Sequence, residues 1–261
     1  MTEMRAIRLA AVGDLHVKKT SRGALPPLLA SVNESADVLL LCGDLTDYGL
    51  VEEAHILAAD LNSTVRIPIV GVLGNHDFES GHEKEVCSIL SDAGVKLLDG
   101  EAVEIHGIGF AGIKGFVGGF DRGTLGAWGE SAVKRFVQEA IDESLKLESA
   151  LARLRTPRRV ALLHYSPIRG TVEGEPLEIY PYLGTSRLEE PIDRYPVDAV
   201  FHGHAHSGSP EGRTKGNVPV YNVAMPLLRS VFPERPPFRL VEIPTGAAET
   251  SSSALHLPLS A

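Results

Sequence analysis

Five short apolar runs in this chain each stop at residue types that bind metal ions, and that recurrence limits the fold more than any other feature. Residues 7–12 end in Gly13-Asp14-Leu15-His16, residues 38–42 in Gly43-Asp44, and residues 67–73 in Gly74-Asn75-His76-Asp77. Residues 160–163 meet His164, and residues 199–201 lead through His202 to Gly203-His204-Ala205-His206. The runs carry Val, Ile and Leu at successive positions without strict polar alternation, the pattern of strands covered on both faces. Helical stretches at 25–35 and 51–61 separate the first three. This spacing predicts right-handed crossovers and a largely parallel sheet. At the carboxyl edge of such a sheet the loops converge, so residues far apart in sequence are expected in one place. Glycine precedes the polar group in four of the five, allowing a sharp turn and close backbone approach.

The rest of the chain supports an α/β domain. Further strands are expected at 102–105, 107–113, 218–223 and 238–243. A long amphipathic helix is expected over 130–154, stopping before Pro157. Residues 1–243 read as a single domain, and residues 244–261, with three consecutive serines, as a loosely ordered tail. At 43% hydrophobic and 23% charged over 261 residues the chain can build a sizeable core, which excludes disorder as its main state. A net charge of −9 opposes a polyanionic partner, so no nucleic acid is expected. No run approaches the roughly 18 apolar residues of a membrane span. The start of the chain, with Glu3, Arg5 and Arg8, is unlike a secretory signal. The expected setting is therefore cytoplasmic, without membrane association. Cys42 and Cys87 are too few for a disulfide framework or a thiolate metal site, and Cys42 reads as a small core residue.

The ligand set is large. Asp14, His16, Asp44, Asn75, His164, His204 and His206 are too many for one tetrahedral ion and suit two ions sharing a carboxylate. Oxygen and imidazole donors without thiolate favour Mn, Fe, Zn, Co or Ni over Ca or Mg. The remaining histidines, His55, His82, His106, His202 and His256, fall outside the pattern and read as structural; strand alternation turns His202 away from its neighbours.

The order D-x-H, G-D, G-N-H-D, H, G-H-x-H, from Asp14 to His206, resembles the calcineurin-like metallophosphoesterase superfamily. The resemblance implies a two-sheet β-sandwich flanked by helices, in α-β-β-α layers. It implies one metal held by Asp14, His16, Asp44 and His206, and a second by Asp44, Asn75, His164 and His204, with Asp44 bridging. His76 is then a catalytic non-ligand facing the substrate, oriented by Asp77. The cofactors implied are two divalent or mixed-valence metal ions. The partner is a small anionic phosphoester, because residual positive charge in a cleft of an acidic protein selects an anion. Two metals roughly 3.5 to 4 Å apart lower the pKa of a shared water toward 7, and the resulting hydroxide attacks phosphorus in line. A protonated His76 would serve the leaving alkoxide as general acid.

The second block narrows the substrate. Protein phosphatases of this superfamily carry arginine in G-D-x-V-D-R-G, whereas Gly43-Asp44-Leu45-Thr46-Asp47-Tyr48-Gly49 has Tyr48 there. The block looks more like the phosphodiesterase branch that includes the cyclic-nucleotide enzymes, so small phosphodiesters are the expected substrates. Alternatives are a phosphomonoesterase or nucleotide phosphatase, and a non-catalytic phospho-ligand or protein-binding module on the same fold. A nuclease lacks support, with no basic stripe and 6% aromatic residues. The glycine-rich stretch 115–123 reads as a loop, either a plain turn or a cover over the cleft in which Phe120 would stack on a base and Arg122 meet a phosphate; Tyr180 and Tyr182 are weaker candidates.

Overall fold

The computed structural model describes residues 5–245. Strands β1 (Arg5–Val12), β2 (Val38–Cys42), β3 (Ile69–Val72) and β4 (Val95–Leu97) run parallel. The antiparallel edge strand β11 (Arg239–Thr245) completes a five-stranded sheet in the order β11-β1-β2-β3-β4. The second sheet has six strands in the order β5-β6-β7-β8-β10-β9: β5 (Glu101–Ile105), β6 (Ile108–Gly112), β7 (Arg158–Leu162), β8 (Ala199–His202), β10 (Pro219–Asn222) and β9 (Glu211–Arg213). Its four central strands are parallel and both edges antiparallel. The result is two mixed sheets flanked by helices, the metallophosphoesterase-type sandwich.

Why the strands read as unbroken apolar runs is visible in the packing. Alternate residues of one strand enter different cores. Leu9, Ala11, Leu40, Cys42, Val70 and Val72 face the second sheet's Phe110, Val160, Leu162 and Phe201. Their neighbours Ala10, Val12, Leu39 and Leu41 face away, toward helices α1 (Pro26–Ser35), α2 (Val51–Thr64) and α3 (Glu83–Asp92). On the outer face of the second sheet, Ala161, Leu163 and Val200 meet α4 (Ser131–Arg153) and α6 (Glu189–Arg194). With both faces covered, no position is left for the polar half of an alternating pattern.

The long helix falls at α4, one residue inside each expected end. Several elements were not anticipated: α3, β4, β9, and the short helices α5 (Tyr180–Leu183), α6 and α7 (Met225–Val231). The last strand extends past Ile243, with Ala6 and Arg5 pairing Pro244 and Thr245. The remainder of the expected tail, 246–261, and residues 1–4 lie outside the described residues. Among the described residues no helix is long and apolar enough to cross a membrane.

Candidate metal centre

The loops after β1, β2, β3, β7 and β8 meet at one edge of the sandwich. After β1 and β2 the chain continues side by side: the N–H of Asp14 donates to Gly43 O at 2.9 Å, that of His16 to Asp44 O at 3.0 Å, and that of Val17 to Leu45 O at 3.1 Å. These bonds hold a costly backbone. Asp14 (φ 57°), His16 (45°), Asp44 (48°) and His204 (71°) all occupy the left-handed region, which non-glycine residues seldom enter and which clusters at functional sites.

The glycines before the ligands do two jobs. Gly43 sits at φ 81°, so there the turn itself requires glycine, and a Cβ would also meet the His164 ring. At Gly74 and Gly203 the constraint is space: a Cβ would run into the carboxylate of Asp44 or Asp14 respectively.

The structure brings all seven predicted ligands together in two groups. The donor atoms of Asp14, His16 and His206 lie within 4.8 Å of one another, as do those of Asp44, His164 and His204. Asn75 joins the second group, its Oδ1 2.9 Å from His164 Nε2. Asp44 stands between them, with Oδ1 3.3 Å from His164 Nε2 and Oδ2 3.8 Å from His16 Nε2.

Hydrogen bonding tests whether cations fit here. His164 Nδ1 donates to Cys42 O at 3.0 Å, which leaves Nε2 as a lone pair facing the oxygens of Asp44 and Asn75. His204 Nε2 donates to Tyr182 O at 3.0 Å, leaving Nδ1 for the group it shares with Asp44 and His164. His16 Nε2 is buried without any partner. Lone pairs that converge without a proton between them suit metal ions, and the outward N–H bonds to carbonyls are the supports that ligating histidines use.

Electrostatics agree. Burial holds His164 well below the ordinary histidine range; burial, with His164 adding to it, brings His204 to about 3, so both rings are neutral and available as ligands. Burial raises the Asp14 carboxyl to about 6 against the hydrogen bond from His206, at 2.9 Å, and the nearby Asp44 charge raises it further. Two buried carboxylates this close call for compensating positive charge.

His76 is placed differently from the ligands. Its backbone N–H donates to Asp44 Oδ1 at 2.8 Å and its ring lies 4.6 Å, edge-on, from that of His16. Asp77, expected to orient it, does something else. The buried Asp77 carboxylate accepts from the N–H groups of Leu45, Thr46 and Gly74 and from Thr46 Oγ1, tying the second and third loops together. The His76 ring is held instead by Asp47, whose carbonyl lies 2.6 Å from Nδ1. Asp47 was missed as a site residue. Its carboxylate also stands 3.3 Å from His16 Nδ1, and it forms a third cluster with His16 and His76. The available signal was a second aspartate, three residues after Asp44 in the same loop segment.

Elsewhere the loop reading needs correction. Phe120, which the covering-loop reading would have stacked on a base, packs with Val172, Leu183 and Ala205 beneath the loop of His204 and His206. Tyr182 contributes its carbonyl, which side-chain chemistry could not reveal. His202 is buried, its Nδ1 2.7 Å from Gly203 O and its Nε2 2.8 Å from Thr171 Oγ1, away from the ligand groups. His256 lies outside the described residues.

Comparison with known proteins adds the following. An uncharacterized protein of Methanocaldococcus jannaschii is 30% identical over 112 residues, 43% of this chain and 45% of the relative, so the match spans less than half of that relative's length. Among solved structures, the phosphopantetheinyl hydrolase of Mycobacterium tuberculosis aligns with a TM-score of 0.63 at 17% identity, covering 89% of this chain and 95% of the other. A putative 5'-nucleotidase of Staphylococcus aureus aligns with a TM-score of 0.52 at 18% identity, covering 84% and 49%. Both likenesses are of fold. Residues 7–208, which include every block described above, match the calcineurin-like phosphoesterase family, and the chain belongs to that family.

Proposed function

We propose that this protein is a dinuclear-metal-dependent phosphoester hydrolase acting on small phosphodiesters. One observation carries the reading: the two oxygens of Asp44 face two separate donor groups, the arrangement needed for a shared ligand between two ions. Asp14, His16, Asp44 and His206 would hold one ion, and Asp44, Asn75, His164 and His204 the other. Two divalent ions so held supply the positive charge that activates water near neutral pH and clamps the phosphoryl oxygens.

The chain's own residues do the rest. The Asp47 carbonyl accepts His76 Nδ1–H, so in the imidazolium the Nε2 proton is the one delivered to the departing oxygen, leaving the neutral ring. Asp77 keeps the loops of Asp44 and Asn75 in register through its bonds to Leu45, Thr46 and Gly74. Tyr48, exposed, offers no charge where the protein phosphatases place arginine. One cation fewer favours a singly charged diester over a doubly charged monoester.

Elemental analysis of untreated protein, combined with a substrate panel in Mn²⁺, tests the reading. The expected result is two ions per chain and faster turnover of bis(p-nitrophenyl) phosphate than of p-nitrophenyl phosphate. Turnover of the monoester alone would replace diesterase with phosphomonoesterase. A protein that binds no divalent ion would leave only a phospho-ligand or protein-binding module on this fold.

A further inference from the structure

A cavity of about 450 Å³ opens where β3 and β4 meet β6. Its wall is continuous with the ligand segments. Leu73 and Phe78 bracket the loop that carries Asn75 and His76. Lys114, which also lines it, accepts the N–H groups of His164 and Tyr165 on its carbonyl at 3.0 and 3.1 Å. Leu73, Cys87, Leu97 and Leu98 give an apolar floor, and charged side chains, Glu83, Lys84 and Glu101 among them, also line the cavity. This volume lies within the range of small-molecule sites.

Two side chains on the wall shared with the ligand segments are placed to bind a ring. The Phe78 ring is 40% exposed although it belongs to a turn otherwise anchored in the site. The Lys114 ammonium donates to Gly115 O at 2.9 Å and lies 5.5 Å from the Phe78 ring, 5.2 Å from Phe116 and 5.4 Å from Tyr165. Among the described residues it has no carboxylate partner, although Asp99 lines the same cavity; that carboxylate is taken by Lys146 at 3.1 Å. Of the three ammonium hydrogens, one has an acceptor in the protein. An exposed aromatic face beside a cation with free donors, over an apolar floor, fits a flat heteroaromatic ring that carries hydrogen-bond acceptors.

We propose that this cavity is a nucleobase subsite, in which Phe78 stacks on the base and Lys114 donates to its ring carbonyl or nitrogen, so that the substrates are nucleotide esters. The assignment rests on the phosphoesterase reading above and deepens it. It separates the roles of the two walls: the metal centre selects the phosphoryl group and the cavity selects what is attached to it.

The test compares two esters with the same leaving group, p-nitrophenyl thymidine 5'-phosphate and p-nitrophenyl methyl phosphate, in metal-loaded wild type, Phe78→Ala and Lys114→Met. The wild type should prefer the thymidine ester in kcat/KM by roughly 10-fold or more, since base stacking contributes about 1–3 kcal/mol, and each variant should bring that ratio toward one at unchanged metal content. Lys114→Met keeps the aliphatic stem among its three rings, and circular dichroism confirms that each variant is folded. A ratio of one in the wild type, or a ratio that neither variant moves, overturns the subsite. Should neither ester be hydrolysed by metal-loaded protein, the hydrolase reading fails by itself. The subsite is then decided by calorimetric titration with thymidine 5'-phosphate against methyl phosphate: tighter binding of the nucleotide, lost in both variants, supports it, and equal binding overturns it.

Discussion

At the scale of single residues the site separates side chains whose donor atoms converge from those that brace rings and loops. Asp44 faces both donor groups, so Asp44→Ala should lower the affinity for both ions and abolish turnover, as read by elemental analysis after dialysis. His76→Ala should keep its metals and lose about 10²–10⁴ in kcat, the usual worth of a positioned general acid; loss of the metals instead would make His76 a ligand. Asp77→Asn makes a different prediction. Its carboxylate accepts four hydrogen bonds within the protein, and an amide nitrogen turned toward those donors leaves some of them unsatisfied. The metal-free variant should lose about 1–3 kcal/mol of stability, a fall in Tm of roughly 2–4 °C per kcal/mol, at an unaltered pH profile of turnover. Asp44 and Asp77 were legible in the sequence as polar groups at strand ends. That Asp47 braces a histidine was not, because it reaches His76 through a backbone carbonyl that every residue type possesses.

At the scale of elements, four of the five strands deliver their polar group behind a glycine that lets a neighbouring segment approach closely. The Gly74 position admits no side chain beside the Asp44 carboxylate. Gly74→Ala should therefore weaken metal binding by roughly 10–100-fold, the range for altered support of a ligand, measured by competition with a chromogenic chelator. An equivalent substitution at Gly81, where nothing lies within 4 Å of a built Cβ, is the control for folding, although its φ of 72° adds strain. The strongest periodicities were the readable ones. The central strands and α4 stood out because their whole length is buried or amphipathic. By contrast β4 and β9 have three residues each. Segments that short carry too little pattern to separate from a loop, and pairing with an existing sheet edge decides them.

At the scale of the whole molecule, two sheets stack so that five loops from different strands share one edge, and that edge concentrates buried carboxylates and left-handed backbone. Metal ions should therefore stabilise the fold as well as activate it. Saturating metal at 100 times Kd adds about 2.7 kcal/mol by linkage, seen as a rise in Tm that a chelator reverses. The effect should depend on pH. Burial lifts the folded Asp14 carboxyl to about 6, so the metal-free fold binds this proton more tightly than the unfolded chain does. The stability so gained is present at low pH and lost as pH rises through 6. Metal needs the deprotonated carboxylate, so the Tm gain on adding metal should be larger at pH 7.5 than at pH 5.5; a constant gain would show that Asp14 does not exchange its proton for an ion. The strand runs, the two-faced burial of the sheets and the seven polar side chains that converge were readable in residue order, because burial and donor chemistry are properties of residue type and local pattern. That Asp47 and not Asp77 steadies His76, that Phe120 is core, and that Lys114 and Phe78 share a cavity emerged from the folded chain alone, because those depend on contacts between backbone groups and on loops that no local pattern records.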